Sequence, residues 1–278
     1  MARVKIVVDS ASDLREGDGE FSILPLGVLL GEREGLDGVD ISPDDIYNYY
    51  KASKKTPKTA AISPKRFSEL FAKLTADGSE VLYLAISSDM SACYNNARLA
   101  SNEFEGVYAY DSKLLSTGVG ILAFYADELA KKGLGAQEII KRLDEKREKF
   151  SVSLIVDTMT FLHKGGRCGS LTALIAGVLK IKPSIVMKNG KLTVGKKYIG
   201  SAERALVKYT NDVLKNAEKI DPKRVYVVHT SPKREILDEV KRRILTAIPN
   251  ANVIERIAGA TITSHTGKGA MAIIYCEL

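Results

Sequence analysis

Val4-Lys5-Ile6-Val7-Val8-Asp9-Ser10-Ala11-Ser12-Asp13 decides how the chain is read. An apolar run rich in β-branched residues makes a short buried strand, and the small polar residues after it make a turn. A strand buried on both faces belongs to a parallel sheet covered by helices. The rest of the chain extends that pattern outward.

Residues 23–30 are a second strand candidate. Ser42-Pro43-Asp44-Asp45 then opens a helix with a serine cap, a proline at the first position and acids in the first turn. Ser63-Pro64 repeats the signal ahead of Phe67, Leu70, Phe71 and Leu74, which share one helical face. Strands over 81–86 and 107–110 alternate with helices over 91–101 and 116–132. The charged helix 136–150 leads to a second unit.

Past Ser151 the pattern changes. Residues 154–156 lead into the glycine turn Lys164-Gly165-Gly166-Arg167 and an apolar helix over 171–179. Strands over 181–187 and 191–194 flank the turn signal Asn189-Gly190. A helix over 202–219, a strand over 225–228, a helix over 235–247 and strands over 251–257 and 270–275 complete the chain. The expected architecture is α/β in two domains. Residues 1–150 form one with a mostly parallel sheet covered by helices, and 151–278 a smaller mixed-sheet α/β domain.

The length of 278 residues suits two domains. Lys+Arg 41 against Asp+Glu 34 gives a net charge of +7. The basic pairs Lys54-Lys55, Lys131-Lys132 and Lys196-Lys197 sit among polar neighbours without interleaved aromatics, so they read as solvated faces and no nucleic-acid partner is expected. Cys93, Cys168 and Cys276 are odd in number and far apart, which fits a reducing compartment. With no secretory leader and no apolar run of the ~18–20 residues a membrane span needs, the expectation is a cytoplasmic protein.

Enzyme signatures are incomplete. Thr266-Gly267-Lys268-Gly269 resembles part of a phosphate loop, but glycine follows the lysine and Ile262 stands where the first glycine belongs. Gly118-Val119-Gly120 lacks the third glycine of a dinucleotide fingerprint, and no serine sits in a hydrolase elbow. His163, His229 and His265 are widely separated. No cofactor, metal or catalytic residue is expected.

What remains are polar residues near strand ends. Ser91 opens a helix, where it either binds an anion or caps the first turn. Thr59 reads as an ordinary turn residue, His265 as a satisfied polar residue, and Asp9 as a ligand-orienting group or a cap for the next turn. Spacing alone leaves these alternatives open.

The whole chain resembles the DegV family of bacterial fatty-acid-binding proteins. The matching segments include Asp9-Ser10-Ala11-Ser12-Asp13-Leu14, Leu24-Pro25-Leu26, Lys58-Thr59, Ser87-Ser88-Asp89-Met90-Ser91, Lys164-Gly165-Gly166-Arg167 and His265-Thr266-Gly267-Lys268-Gly269. The resemblance implies a non-enzymatic carrier of a long-chain fatty acid such as palmitate, presented to a fatty-acid kinase. Thr59, Ser91 and His265 are then the carboxylate contacts in a ligand cleft between the two domains, and residues around 171–179 with the flanking strands enclose the tail. His265 is expected to supply positive charge. Arg167 is expected to be exposed and to dock a partner. Ala60-Ala61, Ala92-Cys93 and Ile199 depart from the family pattern, Ile199 standing where relatives carry an arginine. The alternative function is an enzyme acting on a small phosphorylated or dihydroxy substrate, with His265 as acid–base.

Overall fold

A computed structural model of the chain describes residues 3–168 and 181–278. The first part runs β1 (Val4–Asp9), β2 (Phe21–Leu24), β3 (Gly27–Leu30), β4 (Arg33–Leu36), α1 (Pro43–Ser53), β5 (Lys58–Ala60), α2 (Pro64–Thr75), β6 (Glu80–Ala85), α3 (Cys93–Ser101), β7 (Val107–Asp111), α4 (Thr117–Lys131) and α5 (Ala136–Arg147). Then follow β8 (Phe150–Ile155), α6 (Thr160–Lys164), β9 (Ile181–Lys188), β10 (Lys191–Ile199), α7 (Ala202–Val213), β11 (Val225–His229), α8 (Arg234–Ala247), β12 (Val253–Ile257), α9 (Ala260–Thr266) and β13 (Met271–Cys276). The expected helix over 171–179 lies outside the described residues.

β1 sits inside a four-stranded sheet of order β2-β1-β6-β7, parallel throughout. Its apolar run is nearly continuous because both faces are covered. A second sheet of order β10-β9-β8-β13-β11-β12 is antiparallel except for the β11–β12 pair. The α/β class and the two sheet types therefore match the sequence reading, and the mixed sheet carries more strands than the parallel one.

The single strand expected over 23–30 is instead two strands in two sheets. Pro25 has no N–H to give a ladder, so β2 ends before it and β3 turns away to pair with β4 and β5 in a small antiparallel sheet. β4 and β5 carry too little apolar patterning to announce themselves. The helix expected over 202–219 keeps its α form only to Val213, and a 3₁₀ segment with a kink at Asn216 completes it.

Helix starts follow their signals. Ser42 accepts from the Asp45 N–H while Asp45 returns a bond to the Ser42 backbone, and Ser63 accepts from Arg66 N. In the β9–β10 hairpin, Asn189 and Gly190 take φ of 50° and 80°, the left-handed pair that a two-residue turn needs. The hairpin tip docks on the loop after β6, where Ser87 Oγ donates to the Gly190 carbonyl at 2.7 Å.

Alternation divides the mixed sheet between two cores. Val152, Leu154, Tyr226, Val228 and Ile274 face the parallel-sheet core, while Ile155, Val225, Val227 and Ile273 face the core beneath α7 and α8. The first of these faces is where a cavity opens.

Candidate functional site

A cavity of about 190 Å³ lies between the loops at the C-terminal end of the parallel sheet and the inner face of the mixed sheet. It exceeds tenfold the ~10–15 Å³ needed for one water. Ile86, Met90, Leu115, Val152, Leu154, Leu162, Leu192 and Val228 make it chiefly apolar. Open α/β sheets bind ligands at this strand end.

Thr59, Ser91, His265 and Arg167 all line this one cavity, although 206 positions separate the first from the third. Thr59 is on β5, where pairing with β3 aligns it opposite Val28. Its Oγ1 lies 2.9 Å from His265 Nε2, a hydrogen bond whose direction depends on the imidazole tautomer. His265 stands on α9, whose N-terminus is fixed by buried carboxyl groups. Asp37 accepts from Ala260 N at 2.7 Å and Thr261 N at 3.1 Å, and Asp13 accepts from Gly259 N at 2.7 Å. The other face of the ring packs on Gly165. A Cβ there would approach Nδ1 to 2.4 Å, so glycine is required by space.

His265 Nδ1 is sealed from solvent and has no partner among the described residues. Burial pushes the imidazole down to about 4, with the Arg167 guanidinium acting in the same direction. In the ligand-free site burial thus disfavours the positive charge expected of His265. Among the described lining residues the cation at this corner is Arg167.

Arg167 differs from its expected exposed setting. Its guanidinium is half-buried and folds back to donate to the Gly165 carbonyl at 2.6 Å and the Met90 carbonyl at 3.3 Å. Gly166 takes φ of 69°, which turns the chain so that the side chain returns toward the cavity. Ser91 is half-buried and precedes Ala92, the N-cap of α3; its Oγ accepts from Cys93 N at 3.2 Å and donates to Cys93 Sγ at 3.2 Å. Ile199 is 69% exposed and outside the cavity lining.

Asp9 caps the turn after β1 and also orients a hydroxyl, that of Tyr83. It accepts from Ala11 N at 3.0 Å and the Tyr83 hydroxyl at 2.7 Å, and burial pushes it up to about 6. The polar lining residues that the sequence reading did not assign are Ser116, His229, Thr230, Thr261 and Thr266. His229 Nε2 lies 3.4 Å from Glu255, and burial holds its imidazole below the ordinary value. The missed signal for Thr261 is the i, i+4 spacing to His265, hidden by a β-branched run that does not read as helix. The acyl enclosure expected around 171–179 lies outside the described residues. Among the described residues no group of His, Cys, Asp and Glu suits a metal, and no helix is long and apolar enough to cross a membrane.

A family model described as "Uncharacterised protein, DegV family" matches residues 3–278. The chain is 30% identical over 274 residues to a DegV domain-containing protein of Deinococcus radiodurans, covering 97% of each. A DegV family protein from Thermus thermophilus, described for its fatty acid binding, superposes with a TM-score of 0.89 at 27% identity over 99% of this chain and 100% of its own. The Streptococcus pneumoniae fatty acid kinase B3 protein, loaded with linoleic acid, shares the fold with a TM-score of 0.86 at 19% identity, over 99% of each chain.

Proposed function

We propose, from the premise that this chain belongs to the DegV family, that it binds a long-chain fatty acid in the cavity between its two sheets. The observation that carries the reading is an apolar cavity with one polar corner, where Thr59, Ser91, His265 and Arg167 converge. That distribution suits an amphiphile with a single anionic head. The relative from Thermus thermophilus described as binding fatty acid supports the same ligand class. On this reading the chain divides near residue 150, and both parts contribute to the cavity.

The head group is held by a relay. A neutral His265 with its proton on Nε2 donates to Thr59 Oγ1, which leaves the threonine hydroxyl free to donate to the carboxylate. Nδ1, packed on Gly165, then needs no acceptor. Ser91 donates a further bond, and the Arg167 guanidinium supplies the opposite charge. Each methylene buried is worth ~0.8 kcal/mol, so a sixteen-carbon tail contributes on the order of 10 kcal/mol before ordering costs. A hydroxyl contact adds roughly 0.5–1.5 kcal/mol net. The tail sets affinity and the polar corner sets orientation.

The protein itself performs no covalent chemistry on this reading, and the partner that acts on the bound carboxyl group is a fatty-acid kinase. A general base is ordinarily oriented by a group behind it. His265 has only Gly165 there among the described residues. That weighs against an acid–base enzyme in this cleft.

The test is direct. Protein purified without detergent is denatured, extracted with organic solvent and analysed by mass spectrometry. Fatty acid near one equivalent per chain is expected. Its absence, together with failure of the delipidated protein to bind added palmitate, would overturn the reading.

A further inference from the structure

Among the described residues six hydroxyl groups line the cavity, and five are engaged within the protein. Thr59 pairs with His265, and Ser91 accepts from Cys93 N. Ser116 donates to Asp13, Thr230 to the Gly267 carbonyl at 2.6 Å, and Thr266 to the Ile262 carbonyl at 2.9 Å. Thr261 is the exception. It is 4% exposed, and its Oγ1 has no hydrogen-bond partner among the described residues.

A buried hydroxyl without a partner is costly, so its place in a ligand cavity points to the ligand. Thr261 is also well fixed, since its backbone N–H is bound to Asp37. It lies four residues before His265 on α9, on the same helical face and on the order of 6 Å along the axis. A fatty acid with its carboxylate at His265 and its chain running along α9 passes Thr261 within its first several carbons.

We propose that Thr261 Oγ1 is a second polar contact for the ligand, and that the cavity favours a fatty acid bearing a hydroxyl or keto oxygen close to its carboxyl group. The inference rests on the fatty-acid reading above and narrows it. Ser116, Thr230 and Thr266 cannot serve in its place without giving up their own acceptors.

The experiment uses the delipidated full chain with palmitic, 2-hydroxypalmitic, 3-hydroxypalmitic and 16-hydroxypalmitic acids, in competition against a fluorescent fatty acid. Wild type should prefer the 2- or 3-hydroxy acid over the 16-hydroxy acid by about tenfold, the scale of one well-placed buried hydrogen bond. Thr261→Val keeps the shape and the backbone bond to Asp37, and should lose that preference. Thr261→Ser should retain it. Because Thr261→Val removes an unpaired buried hydroxyl, its melting temperature in the absence of ligand should stay level or rise. Palmitate binding with the same ranking of hydroxy acids in wild type and Thr261→Val would overturn this inference alone. Failure of wild type to bind any of the four acids would overturn the fatty-acid reading with it.

Discussion

At its N-terminal end α9 meets two buried carboxyl groups. Asp37 takes the Ala260 and Thr261 N–H groups, and Asp13 takes that of Gly259. At its other end His265 has one hydrogen bond, to Thr59, and a ring nitrogen without a partner among the described residues. At one end the backbone N–H groups are saturated with protein contacts, and at the other a side-chain nitrogen is unpaired among the described residues. A helix held this way presents its last turn at a fixed position while leaving polar capacity for something that is not protein. The contrast separates what folds the site from what the site binds.

Breaking the saturated end should have the largest effect. Asp37→Ala leaves two N–H groups buried without acceptors, and hydrogen bonds to charged groups are worth ~1.5–3 kcal/mol each. Urea denaturation should show a loss on the order of 4 kcal/mol, and fatty-acid binding should fall with it. A loss below about 1 kcal/mol would mean that the clamp does not hold α9.

The same end carries a pH signature. Burial pushes Asp13 up to about 7, with Asp37 acting in the same direction and Gly259, Ser116 and Arg15 opposing it. A carboxyl raised above its ordinary value keeps the folded state more protonated than the unfolded one. Its contribution is therefore fully present below about pH 4 and is lost as pH rises to about 7. Asp9, pushed up to about 6, acts the same way, whereas His265, pushed down to about 4, acts oppositely between there and its ordinary value. Asp13→Asn isolates the first term, and asparagine tolerates the left-handed backbone at that position. From pH 4 to 7 the variant should gain about 3 kcal/mol relative to wild type in pH-stepped denaturation. A difference that does not change with pH would assign the burial effect elsewhere.

At the open end the effects should fall on binding. Thr59→Val should leave the ligand-free melting temperature within a few degrees and weaken palmitate binding by about three- to tenfold, as removal of one modest hydrogen bond predicts. Ser91→Ala sharpens the contrast, because its hydroxyl also serves α3. It should weaken binding and cost about 1 kcal/mol of stability. If Thr59→Val unfolds the ligand-free protein while binding per folded molecule is unchanged, the two ends do not differ as argued.

Much of this was legible in the residues. The β-branched run of β1, the serine–proline helix starts and the Asn189-Gly190 turn are local signals, and each formed as its chemistry dictates. The split of 23–30 was signalled by Pro25, but the pairing that sends β3 into another sheet is non-local. Thr59 and His265 could be put together only through family resemblance, since their meeting depends on three sheets. The bias of the ligand-free His265 ring against charge is not local either. It comes from burial against Gly165 and from Arg167, a side chain whose direction is set by the positive φ of Gly166.

The central claim is that a fatty acid carboxylate sits at the Thr59–His265–Arg167 corner. Palmitate labelled with ¹³C at its carboxyl carbon reports on that position directly by NMR. Bound to wild type it should give one resonance that stays in the carboxylate form as pH is lowered past the ordinary carboxyl range, because the Arg167 guanidinium favours the anion. Thr59→Val and Arg167→Gln should each shift that resonance, and Arg167→Gln should raise its titration. A bound label that titrates like the free acid, with a resonance indifferent to both substitutions, would contradict the account.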